Sequence, residues 1–199
     1  MLDSQSSWLA HFLQNAALLL LSLAFLPLDT FILFSSYALQ PFVTEHITRQ
    51  RQRIRRSRSF YPKTVLVTGV GMAKGLTLAR TFHQAGHRVI GADFEPNRVP
   101  VNGRFSRALS SFYALTKPDD KEGSAYYIQD LLSVVRREKV DLWVSCSGVA
   151  SAVEDGQAKE VVERHTPCRA IQFDVKTTAT LHEKHSFIQH TKSLGLRRR

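Results

Sequence analysis

The first 48 residues contain neither lysine nor arginine. That absence removes the basic n-region a secretory signal peptide needs ahead of its apolar core. Cysteine is nearly absent too: Cys146 and Cys168 are the two in 199 residues, 22 positions apart. They form no Cys-x-x-Cys pair, and no Cys/His cluster has zinc-finger spacing. A disulfide framework is therefore excluded, and a reducing compartment is the default. The chain lacks internal repeats, and its one low-complexity stretch is a run of arginines. A Walker A motif fails because Lys74 stands where its second glycine should be. No Gly-x-Ser-x-Gly elbow is present, so no serine nucleophile is expected. Apolar content of 43% and charged content of 22% exclude wholesale disorder and collagen-like structure.

The net charge of +10 is local. Arg49, Arg51, Arg53, Arg55, Arg56 and Arg58 form one cluster and Arg197, Arg198 and Arg199 another. So narrow a distribution does not make a broad nucleic-acid-binding face. Just before the first cluster, Ala16–Leu39 reads AALLLLSLAFLPLDTFILFSSYAL, with Asp29 as its one charge. As a helix these 24 residues rise about 36 Å, enough to cross a hydrocarbon core of roughly 30 Å. Pro27 and Asp29 near the middle allow two geometries: a kinked single span, which is preferred, or a re-entrant hairpin turning at Pro27–Thr30. The arginine cluster beside the run obeys the positive-inside rule and would meet anionic headgroups, which places the rest of the chain in the cytosol. A nuclear-localisation or RNA-binding patch is the competing reading of the arginines, and their position beside the apolar run favours the membrane.

Past Tyr61-Pro62 the pattern changes. Lys63–Thr68 (KTVLVT) is a β-branched run, a strand. The glycine turn Gly69-Val-Gly71-Met-Ala-Lys-Gly75 follows. Leu76, Leu78, Ala79 and Phe82 then fall at helical spacing, and Gly86 ends that helix. His87–Asp93 is a second strand. A strand, a glycine turn, a helix and a strand ending in an acid make the opening βαβ unit of a Rossmann-like sheet. Phe112–Leu115 (strand), Ser124–Lys139 (helix), Val140–Cys146 (strand), Val153–His165 (helix), Cys168–Phe173 (strand) and Val175–Leu194 (helix, broken near His185) continue the alternation. The fold class is thus α/β: a Rossmann-like, mostly parallel sheet of about five strands, preceded by a transmembrane or hairpin helix.

Gly69, Gly71 and Gly75 let the backbone turn tightly and approach a ligand, and the helix that follows favours an anion. Packing of strand on helix explains the same glycines equally well. Asp93, 24 residues after Gly69, could accept from a ribose 2′-hydroxyl, the arrangement of an NAD(P)-binding module. A short-chain reductase would need Tyr-x-x-x-Lys on a late helix. Tyr113 and Lys117 have that spacing but sit in a strand-to-loop region that runs into Pro118, so the match is read as coincidence. Ser145, Ser147 and Gly148 lie at the carboxyl end of the fourth strand, where open α/β sheets bind ligands. His182, His185 and His190 lack a third convergent ligand and are read as surface histidines, so no metal site is expected. Glu154 and Asp155 open a helix and are read as dipole and capping residues.

The run from Lys63 to Leu196 resembles the N-terminal lobe of the ATP-grasp ligases, the superfamily of carbamoyl-phosphate synthase, biotin carboxylase and D-alanine–D-alanine ligase. That lobe opens with a glycine-rich turn. It ends in a helix carrying an Asp-Lys or similar pair, with Gly-(Ile/Val/Leu)-Pro eleven residues after the lysine. Here the pair is Glu183-Lys184, and Gly195-Leu196 follows at that distance. The chain is also similar to membrane-anchored fungal ATP-grasp proteins. The resemblance implies a ligase that activates a carboxylate as an acyl phosphate for attack by an amine, with ATP and Mg2+ as cofactors. Lys184 would contact the nucleotide, and the loops at Gly69–Gly75 and Ser145–Gly148 would face a small carboxylate or amine substrate.

The sequence departs from the family in having Glu183 in the pair and Arg197 where the proline should stand. The glycine-rich loop over ATP and the metal-binding carboxylates are missing, so these 199 residues alone are expected to be inactive. The expected organisation is an anchor over 1–45, a basic juxtamembrane linker over 46–62, a Rossmann-like domain over 63–175, and over 176–199 the helical start of an ATP-grasp domain. Expected partners are membrane lipid, a separate ATP-grasp domain and the small-molecule substrate. A membrane-bound interaction module without catalysis is the third reading.

Overall fold

The computed structural model describes residues 8–118, 123–146, 152–182, 184–193 and 195. The chain divides into two compact units, Met1–Arg49 and Gln50–Arg199. Helix α1, Trp8–Arg55, contributes to both. Its stretch His11–Leu39 has a mean hydropathy of 2.2 and is long and apolar enough to cross a membrane. Pro27 and Asp29 lie inside the continuous helix, which makes no turn at Pro27–Thr30. Thr30 donates its hydroxyl to the Leu26 carbonyl (2.7 Å), a local bond that hides a polar group against the backbone.

In the second unit, strands β1 (Thr64–Thr68), β2 (Arg88–Phe94), β3 (Ser111–Leu115), β4 (Leu142–Ser145) and β5 (Arg169–Ala170) form one sheet in the order β3-β2-β1-β4-β5. Every neighbouring pair is parallel. Parallel strands need crossovers, and helices α2 (Ala73–Gln84), α3 (Ala125–Glu138) and α4 (Ala152–His165) supply them. Alternation along β1 sorts the core into two layers. Val65 and Val67 face one side with Val89, Val144 and Ala79 of α2. Leu66 faces the other with Ile90, Trp143, Tyr127 and Leu131 of α3 and Val162 of α4. Trp143 is fully buried, and its indole N–H is satisfied by the Thr68 hydroxyl at 3.3 Å. Helices α5 (Val175–His182) and α6 (Lys184–Ser193) follow, α5 packing on α4 and α6 on α5.

The segment expected to be a linker is held at its C-terminal part within the second unit. Arg51 donates to the His87 carbonyl (3.2 Å), and the Phe60 and His87 rings lie 5.3 Å apart. His87 Nδ1 in turn accepts from the Lys63 amide (3.2 Å), and burial holds this imidazole below its usual pKa. His185, where a break was expected, lies inside α6, and Glu183 of the Glu183-Lys184 pair lies outside the described residues.

Gly75 lets α2 sit directly on the turn before it. A Cβ there would run into the Gly69 carbonyl, which is backbone and cannot rotate away. Gly75→Ala should therefore lower the unfolding free energy by about 1–3 kcal/mol, the cost of overpacking. The control Thr77→Ala, on the exposed face of the same helix, should stay within about 0.5 kcal/mol of wild type. Urea titration followed by tryptophan fluorescence distinguishes the two, and equal midpoints would refute the packing role.

Candidate functional site

The strand order reverses direction between β1 and β4, since the chain leaves β1 towards β2 on one side and returns to β4 on the other. Loops after two such strands diverge and leave a crevice at their carboxyl ends. Thr68 and Ser145 are register partners there, and the Cys146 amide donates to the Thr68 carbonyl (3.0 Å). Thr68, the residue before the glycine turn Gly69–Gly75, thus stands beside Ser145. Ser147 and Gly148 lie outside the described residues.

Ser145 is braced from below. Its hydroxyl donates to Asp155 Oδ2 at 2.5 Å, and the Tyr127 hydroxyl donates to Asp155 Oδ1 at 2.5 Å. Asp155 is only 4% exposed. Burial pushes its carboxyl above the usual range, and the two hydroxyl donors partly offset this. Asp155 stands in the first turn of α4, as a dipole role requires, and is in addition a buried brace tying β4, α3 and α4 together. The missed signal was spacing. Asp155 shares one helix face with Ala158 and Val162, both fully buried, so the acid stands on the apolar stripe rather than at the solvent side.

Gly69 has φ 76°, the left-handed conformation that glycine adopts without strain. Asp93, at the end of β2, accepts from the Gly71 amide at Oδ2 (2.6 Å) and from the Phe94 amide at Oδ1 (2.8 Å). A carboxylate of the protein itself thus holds the N–H that a dinucleotide pyrophosphate would seek. Gly103, in the short 3-10 turn Asn102–Phe105, presses so closely on Val70 that a Cβ there would clash with the Val70 carbonyl. Val101 abuts Gly71 on the same side, where a Cβ on Gly71 would stand 3.0 Å from the Val101 Cβ. The turn is therefore packed on its β2 side.

Cys146 is half-buried, and burial raises its thiol pKa while the Lys74 charge opposes the shift. Cys168 is buried and pushed up to about 11. Neither thiol has thiolate character at neutral pH. Tyr113 lies on β3 and donates its hydroxyl to Glu138, a bond that raises the phenol's pKa and spends its hydroxyl within the fold. It does not join the crevice as a reductase tyrosine would. Lys184 opens α6 as an exposed residue. His185 and His190 are exposed on the same helix, and among the described residues no group of three His, Cys, Asp or Glu could hold a metal.

No protein-family model and no curated protein matches the chain. Among solved structures it shows a weak likeness to the complete multifunctional pyruvate carboxylase from Rhizobium etli, at 13% identity and a TM-score of 0.45. The match covers 68% of this chain, which spans 13% of that protein's length.

The brace has a pH signature. A folded-state pKa raised above its unfolded value of about 3.9 means that the folded protein holds the proton more tightly. The contribution of Asp155 is fully present below the unfolded pKa and is lost as pH rises through the folded one. Asp155→Asn lacks this titration. The melting temperature of wild type minus that of Asp155→Asn should therefore grow as pH is lowered from 7 towards 4. A difference constant across that range in differential scanning calorimetry would show that Asp155 titrates normally.

Proposed function

We propose that residues 63–175 are the substrate-holding lobe of an ATP-dependent ligase of the ATP-grasp kind, carried on a membrane anchor. The observation that carries this reading is the crevice between β1 and β4, with Ser145 fixed by the buried Asp155 and Tyr127. Ser145 gives its proton to Asp155 and so is held in place at the mouth of the crevice. The glycine turn Gly69–Gly75 would line the opposite wall. Lys184, from the helix that carries the family's terminal pair, would reach the nucleotide. ATP and Mg2+ would be held by an ATP-grasp domain on the same or another polypeptide, and the ligation would take place there. The apolar helix would lie in the bilayer, with the arginines on the cytosolic side against anionic headgroups.

The NAD(P)-binding alternative has Gly69, Gly71 and Asp93 in its favour. The bonds from Asp93 to the Gly71 and Phe94 amides weigh against it, because both carboxylate oxygens are already engaged. Titration of the detergent-solubilised full chain with NADH should give no saturable fluorescence change at micromolar concentration. Micromolar binding that disappears in Asp93→Ala would overturn the ligase reading in favour of a dinucleotide module.

The positive test is a thermal-shift screen of small amines, amino acids and carboxylates. A ligand present at a hundred times its Kd stabilises the fold by about 2.7 kcal/mol, a shift of several degrees. The expected result is stabilisation by an amine-bearing compound, abolished by Ser145→Val.

A further inference from the structure

We propose that α1 pairs in the membrane with a second copy of this chain, in parallel and in register, through a seam of Asn15, Ser22, Asp29 and Ser36. This rests on the reading of His11–Leu39 as a membrane span. The four polar residues stand seven positions apart. Seven residues are nearly two helical turns, so the four line one narrow face with a slow left-handed drift. Leu18, Phe25, Ile32 and Leu39 lie three residues after each of them and repeat with the same period. Together these are the a and d positions of a heptad pattern that spans the whole apolar stretch. All eight residues are exposed in the isolated helix.

Two hydroxyls of this helix are satisfied locally. Thr30, off the seam, turns its hydroxyl back onto the Leu26 carbonyl. Ser36 bonds the Leu33 carbonyl (2.8 Å) and keeps its oxygen as an acceptor. Asn15 and Asp29 are too polar for hydrocarbon, and a carboxyl group at mid-membrane depth is costly unless it is partnered.

The partner that fits is a second copy. Two copies carry the same arginine run, so they insert with the same orientation and can only pack in parallel. Parallel packing in register sets each a residue against its own counterpart. Asn15 against Asn15 and Ser22 against Ser22 are self-complementary donor–acceptor pairs, and each Asp29 would face the other copy's polar seam instead of lipid. The small side chains of Ser22 and Ser36 let the backbones approach closely.

The test is oxidative cross-linking of the full chain in native membranes, measured on the carbonate-resistant fraction. Ser22→Cys and Ser36→Cys should each give disulfide-linked dimers above the background set by Cys146 and Cys168. Leu20→Cys and Phe34→Cys, on the opposite face, should not. Asp29→Leu in the Ser22→Cys chain should cut the dimer fraction on the order of fivefold to tenfold, and Asp29→Asn should retain most of it. Equal cross-linking from both faces, indifference to Asp29→Leu, or capture of a different protein in place of the second copy would overturn the pairing and leave the span intact. Release of the chain by carbonate would instead remove the span, and the pairing with it.

Discussion

The second unit depends on β1 being buried on both faces. Val65, Leu66 and Val67 are all at most 1% exposed, because side chains that alternate along a central parallel strand enter two different cores. Pairing with β2 on one side and β4 on the other uses the hydrogen-bonding capacity of the strand along its length. The placement of β1 also determines where chemistry can occur. The loops after β1 and β4 must diverge, since their crossovers leave for opposite sides of the sheet. The crevice follows from the strand order before any side chain is considered.

Two aspartates close the flanks of that crevice by different means. Asp93, at the end of β2, fastens the glycine turn by accepting from the Gly71 amide. Asp155 is buried and serves as a joint, taking one hydroxyl from α3 and one from β4. A buried carboxyl group with two donors is a demanding arrangement, because removing either donor leaves an uncompensated acceptor in the interior. Ser145 is one of those two donors. Its rotamer is fixed by the same bond that satisfies Asp155.

The sheet and its helices were legible in the sequence because periodicity reports burial directly. The strand at Lys63–Thr68, the helix at Ser124–Lys139 and the strand at Val140–Cys146 each fall within two residues of the observed bounds. The expectation at Cys168–Phe173 was too long, since only Arg169 and Ala170 pair with β4. Short edge strands end where the partner ends, and β4 itself runs for four residues. The site was half legible. Adjacency of the glycine turn and Ser145 follows from the parallel topology that the alternation implies. The bonds made by Asp93 and Asp155 do not follow from spacing. Asp93 finds its partner 22 residues away across the top of two strands, and Asp155 finds Tyr127 28 residues away through the packing of α3 on α4. A sequence gives the acid and the distance along the chain, whereas the partner is chosen by the fold.

The electrostatics of the crevice follow from these bonds. Asp93 has both oxygens on backbone amides, and Asp155 has both on hydroxyls, so every one of the four oxygens already accepts from a donor of the protein. Lys74 extends from the first turn of α2, and its charge is felt at Cys146 across the crevice. The positive end of the α2 dipole adds to it. The glycine-turn end of the crevice therefore carries a positive bias, and the Gly71 amide at that end is already taken by Asp93.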